Sequence, residues 1–93
     1  MSVMDFFVAS ENKESILKSN EKLDKALHAV SVAPSSLNKR PARVRYENGE
    51  ISMYAERDDD KTMIDLGIAQ YNFQAVYPGE WEWGNPSLFY PLD

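Results

Sequence analysis

Cysteine is absent from the 93 residues, histidine occurs once, glycine four times, and ten basic residues face fifteen acidic ones. Without cysteine there is no disulfide framework, no thiolate nucleophile and no cysteine metal site. A reducing, cytoplasmic setting fits that absence. The single histidine, His28, stands between Leu27 and Ala29 with no second histidine to complete a metal site, so it reads as a structural side chain. The glycines are scattered singly, which excludes a glycine-rich phosphate loop. No serine sits in an elbow-like setting, and no nucleophile–base pair is legible. The net charge of −5 argues against a general nucleic-acid binder. No apolar run approaches the roughly 20 residues of a membrane span. The opening MSVMDFFVAS has an acid where a signal peptide carries positive charge. The expectation is a cytoplasmic protein with neither a membrane nor a nucleic-acid partner.

What is present is globular in character. Hydrophobic residues make up 43% and charged residues 27%, a balance that favours a packed core over disorder. Residues 1–93 read as one domain, and a chain of this length buries only roughly 60–65% of its unfolded surface. Five tyrosines, four phenylalanines and two tryptophans supply bulky core or interface material.

Residues 3–8, VMDFFV, suit a short strand or an extended arm packed on a second chain. From Glu14 to Val32 the pattern predicts one helix, with Leu23, Ala26, Leu27 and Val30 on a single face. Pro34 ends it. The run ARVRYE-NG-EISMYAE is a hairpin signal, because Asn48-Gly49 tolerates the positive φ angles of a type I′ turn. A two-residue turn pairs Glu47 with Glu50, Tyr46 with Ile51, Arg45 with Ser52, Val44 with Met53 and Arg43 with Tyr54. Ala42, Val44, Tyr46, Ile51, Met53 and Ala55 then share the core face. On the other face Arg45 is placed to ease the Glu47–Glu50 repulsion.

A second helix is predicted over 61–76, opened by Asp60 or Thr62 and stopped by Tyr77-Pro78-Gly79. Ile64, Ile68, Tyr71 and Ala75 form one stripe, with Leu66, Gly67 and Phe73 nearby. Because the helix is apolar around much of its circumference, it is expected to be the more buried of the two. EWEWG alternates like a strand, and NPSLFYPLD reads as an extended tail. Two apolar ends on a small core suggest a dimer seam or subunit exchange. Trp81 and Trp83 would share one face, suited to core or interface packing, or to stacking on a planar ligand or sugar. The aspartates Asp58, Asp59 and Asp60 lack the alternating ligands of a calcium loop and read as solvated.

The basic residues are not evenly spread. Lys39, Arg40, Arg43 and Arg45 gather in seven positions, just after Ser35, Ser36 and Asn38. Such a corner can donate hydrogen bonds to a phosphate or to the polar edge of a heterocycle. Alternatively the small polar residues shape the turn and the arginines balance the acids of the hairpin.

Four motifs in order, A-P-S-x-x-N at 33–38, Pro41 with the hairpin, D-L-G-I-A at 65–69 and G-E-W-E at 79–82, resemble FMN-dependent nitroreductases. The closer resemblance is to the C-terminal half of one branch of that family, and it spans roughly residues 23–83. It implies an α+β fold, a β-hairpin flanked by two helices forming a nitroreductase-like half domain. It also implies FMN as cofactor and, in an active member, an NAD(P)H-dependent oxidoreductase acting at a dimer interface. Ser35 and Asn38 match positions that line the flavin, and with Ser36, Arg40 and Arg43 they make up the candidate cofactor-binding set. Arg40 stands where the family usually has glutamine, and Ala42 where it has tryptophan. The family's R-R-S-x-R phosphate stretch has no counterpart in this chain. The implied partners are therefore a second copy or a separate N-terminal nitroreductase half. The alternatives are a non-catalytic association domain without flavin and a small phosphate-ligand-binding module.

Overall fold

The computed structural model describes residues 3–32, 42–55 and 60–92. The chain forms a one-turn helix α1 (Val3–Phe6), strand β1 (Phe7–Ala9), helices α2 (Lys13–Ser19) and α3 (Glu21–Val32), and strands β2 (Arg43–Glu47) and β3 (Glu50–Tyr54). Helix α4 (Asp60–Val76) and strands β4 (Gly79–Trp81) and β5 (Ser87–Pro91) complete it. The strands make one sheet in the order β1-β2-β3-β5-β4, parallel between β1 and β2 and antiparallel elsewhere. This is the expected α+β class.

The hairpin has the expected register, Arg43 opposite Tyr54 through Glu47 opposite Glu50. Asn48 (φ 52°) and Gly49 (φ 81°) supply the left-handed turn that joins its strands. Ala42, Val44, Ile51, Met53 and Ala55 are buried, and Tyr46 is half-buried against the same core. On the opposite face Arg45 lies over the Tyr54 ring, 4.9 Å from its centroid, rather than in an ion pair with Glu50. A stacked guanidinium keeps its head hydrated while covering the ring.

Residues 13–32 do not form the continuous helix that periodicity predicts. Asn20 breaks it at φ −131° and ψ 85°. Its N–H donates to the Ile16 carbonyl at 3.0 Å, closing α2, and its Oδ1 accepts from the Leu23 N–H at 3.1 Å, capping α3. One residue thus satisfies groups at two helix ends, with its backbone N–H at the first and its side-chain amide oxygen at the second. The Leu23, Ala26, Leu27 and Val30 stripe is buried as expected.

Of the two forms expected for residues 3–8, the short strand is present in part as β1, after the one-turn helix α1, and the C-terminal stretch differs from expectation. VMDFFV is no arm on a second chain. Phe6 and Phe7 are buried in this chain's own core, and Phe7 pairs with Val44 across the parallel β1–β2 edge. NPSLFYPLD is no tail. Its Ser87–Pro91 stretch forms β5, inserted between β3 and β4, with Phe89 opposite both Ile51 and Trp81. Its prolines fall at the margins, Pro86 before the strand and Pro91 at its last residue, so neither removes a central ladder donor.

Helix α4 buries the face opposite to its Ile64, Ile68, Tyr71 and Ala75 stripe. Leu66, Ala69 and Phe73 point into the core, whereas Ile64 is 61% exposed, Tyr71 is 74% exposed and Ala75 faces solvent. Phe73, fully buried, is the hub. Its ring centroid lies 5.8 Å from Tyr77, 5.2 Å from Trp81 and 5.0 Å from Phe89, and Trp81 and Phe89 are 4.8 Å apart. Gly79 permits this closeness. A Cβ there would lie 2.6 Å from Phe89 Cε1 and 2.7 Å from the Tyr90 carbonyl oxygen.

Phe73→Ala is therefore expected to cost about 3–5 kcal/mol of unfolding free energy in urea denaturation, through the cavity left among the rings. Gly79→Ala should cost about 1–3 kcal/mol by overpacking, with no loss of apolar area. A change below about 0.5 kcal/mol in either variant would contradict the assigned packing.

Candidate functional site

Four of the five expected cofactor residues, Ser35, Ser36, Asn38 and Arg40, lie outside the described residues, as does Lys39. Arg43, the fifth, opens β2 half-buried, and its Nη1 donates to the Asp5 carbonyl oxygen at 3.3 Å. That bond ties the hairpin to α1, so the guanidinium has a structural task at the sheet margin. Asp58 and Asp59 are likewise outside the described residues. Among those described, no cluster of histidine, aspartate and glutamate could hold a metal ion. His28 is exposed, with Nε2 3.5 Å from Asp24 Oδ1 one helical turn earlier. No helix among the described residues is long and apolar enough to cross a membrane.

A concave site lies elsewhere. A groove of about 360 Å³ runs between α4 and the turn joining β4 to β5, lined by Met63, Leu66, Gly67 and Gln70 on one side and by the stretch Trp81–Gly84 with Ser87 on the other. Its size and apolar character are those of small-molecule clefts. Leu66 and Trp81 belong to the core and its margin, while Trp83 stands on the rim and is 100% exposed. The sequence reading placed both tryptophans on one strand face. The strand instead ends at Trp81, and the chain turns through Gly84 at φ 122°. That releases Trp83 from the core.

The turn that carries Trp83 is firmly tied. The Glu82 N–H donates to the Leu88 carbonyl at 3.0 Å, and Ser87 Oγ donates to the Gly84 carbonyl at 2.5 Å. Asn85 bonds the Ala55 backbone twice, accepting from its N–H at 2.8 Å and donating to its carbonyl at 3.1 Å. Behind the turn, Tyr90 OH donates to Glu82 Oε2 at 3.2 Å. This hydrogen bond, with the negative charge of Glu82 and the more distant Glu50, holds the Tyr90 phenol above the usual tyrosine range.

The family described as "Putative TM nitroreductase" matches residues 8–76. The chain belongs to this nitroreductase family. Neither the curated proteins nor the solved structures provide a match. In this nitroreductase-family chain the matched segment runs from β1 through α4 and includes the basic corner, the hairpin and D-L-G-I-A. The Trp81–Ser87 wall of the groove lies beyond it. The groove lining also contains one carboxylate residue, Glu82, and no base among the described residues, so it does not suit the phosphate of FMN.

Glu82→Gln should lower the Tyr90 titration toward the ordinary phenol range, read from the Tyr90 ring resonances in an NMR pH series. An unmoved titration would mean that the carboxylate does not set it.

Proposed function

We propose that this chain is a flavin-associated nitroreductase-like domain, an incomplete oxidoreductase whose site is completed by a second copy or by a separate N-terminal nitroreductase half. Two supports combine: membership of the nitroreductase family over residues 8–76, and an α4 that is apolar on two faces. Leu66, Ala69 and Phe73 are covered by this chain, whereas Ile64, Tyr71 and Ala75 are exposed along an outward stripe in which Ile68 is half-buried. From Leu66 to Gly79 the sequence holds no charged side chain, in a protein of which 27% is charged. A helix apolar all round is stable when buried on all sides.

FMN is assigned to the basic corner. Ser35, Ser36, Asn38, Arg40 and Arg43 offer hydroxyl, amide and guanidinium donors, a set whose chemistry fits an anionic phosphate or the acceptor edge of a flavin ring. Bound flavin supplies the redox chemistry, and the protein's task is to hold and orient it. An active assembly would work as an NAD(P)H-dependent, nitroreductase-type oxidoreductase in the cytoplasm. The exposed α4 stripe also favours a second reading, an association domain that binds no flavin.

Solution mass and FMN fluorescence, measured on the purified chain, separate these readings. Self-association above the 10.6 kDa chain mass, with quenching of added FMN, is expected. Ile64→Glu with Tyr71→Glu should return the protein to monomer. Asn38→Ala should weaken FMN binding by roughly tenfold, the loss of one hydrogen bond to a buried acceptor. Glu14→Ala should leave it unchanged. A monomer that leaves FMN fluorescence unquenched overturns the flavin assignment, and a dimer that does so selects the association reading.

A further inference from the structure

We infer that the groove between α4 and the β4–β5 turn is a binding site for a small apolar organic cation, of the arylalkylammonium kind, held between Trp81 and Trp83. The site is separate from the basic corner and from the flavin assigned to it. Its Trp81–Ser87 wall also lies outside the residues matched to the family.

Trp83 is the first observation. Tryptophan is the largest apolar side chain and is strongly buried on average, yet this one is 100% exposed. It is not displayed from a loose loop. Glu82, Asn85 and Ser87 each tie the turn down by at least one hydrogen bond, and Asn85 continues the β3 ladder with its side-chain amide. With the backbone of the turn held, ligand binding has only the side-chain rotations of Trp83 left to order.

The groove's chemistry then selects the ligand. Two indoles and the apolar surfaces of Met63 and Leu66 make up most of the wall, and Gln70 and Ser87 add polar groups. Indole has the strongest cation-attracting face among the aromatic side chains. Glu82 is the one charged residue of the lining among the described residues, its carboxylate held by Tyr90 behind the turn and acting on the groove only through space, and the whole chain carries a net charge of −5. A phosphate or carboxylate would meet no countercharge among the described residues of the lining, whereas a cation with an apolar body meets aromatic faces and a favourable potential.

Gly67 keeps the groove open. It sits within α4, and a Cβ at that position would have nothing within 4 Å. Glycine is disfavoured in a helix interior relative to alanine, and no close contact requires it in this place. A long side chain at this position would extend into the groove that Gly67 lines.

The test titrates the chain, without flavin, with benzyltrimethylammonium, benzyl alcohol and phenylacetate, a cation, a neutral molecule and an anion built on the same ring. Binding is read by ligand-observed saturation-transfer NMR and by tryptophan fluorescence. Saturable binding of the cation is expected, at least tenfold tighter than that of the anion. Trp83→Ala should weaken it at least tenfold, and Glu82→Gln about two- to threefold. Gly67→Leu should abolish it by filling the groove, with the helical circular dichroism signal kept or increased. Equal binding of cation and anion, full binding by Trp83→Ala or Gly67→Leu, or no saturable binding overturns the inference. Because no step uses FMN, a failed flavin titration leaves this result unaffected.

Discussion

Four aromatic rings, from α4, the residue just beyond it, β4 and β5, meet at Phe73, and the far side of the sheet is organised by that meeting. Tyr77, Trp81 and Phe89 surround the ring in stacked and edge-on geometries. A short chain has little apolar area to remove from water, so a few large rings must contribute much of the stabilisation. The cluster also explains positions that bury no ring. Gly79 is small because Phe89 occupies its side-chain space, and Gln74 reaches past the end of α4 to donate to the Gly79 carbonyl at 2.6 Å. Between them they bring the chain back along the sheet, where β4 and β5 pair at its edge.

Legibility from sequence follows how locally each element is determined. The hairpin was readable residue by residue, since Asn48-Gly49 fixes the turn and the turn fixes the register. The α3 stripe was readable because its polar residues leave one face to bury. Helix α4 was found, but its orientation was not, since apolar residues surround it and its period points to no single side. What selects Phe73 over Tyr71 for the core is the distant pair Trp81 and Phe89, which no local window contains. The break at Asn20 was hidden for the converse reason. Its side chain outcompetes helix propensity at a single position inside an otherwise good pattern. Strand β5 was masked by prolines that lie harmlessly at its margins.

The site divides the same way. The basic corner was visible as composition and as a family motif, and the structure describes two of its members, Arg43 bonded to the Asp5 carbonyl and Arg45 over the Tyr54 ring. The groove was not anticipated, although E-W-E-W-G-N contained a clue. Strand alternation puts both indoles on one side, but a glycine directly after the second marks the chain's departure from the strand. Strand β4 is only three residues long, and its end decides which indole packs and which is displayed. An outward apolar stripe on α4 and an apolar groove beside it therefore share one helix, with Gly67 between them.

The parallel pairing of β1 with β2 bears on the order in which this fold can assemble. The hairpin joins neighbours in sequence and can form from its own turn outward, and α4 gains its backbone bonds locally. Strand β1 has no such route. Phe7 finds Val44 only after α2, α3 and the connection that follows them have been brought back onto the sheet. Contacts between residues so far apart in sequence require loop closure before they return any stabilisation. Phe89 reaches Ile51 across a comparable stretch of chain, so both long-range pairings, with the buried Phe6 and Phe7 at one of them, must close around the locally specified hairpin before the core is complete.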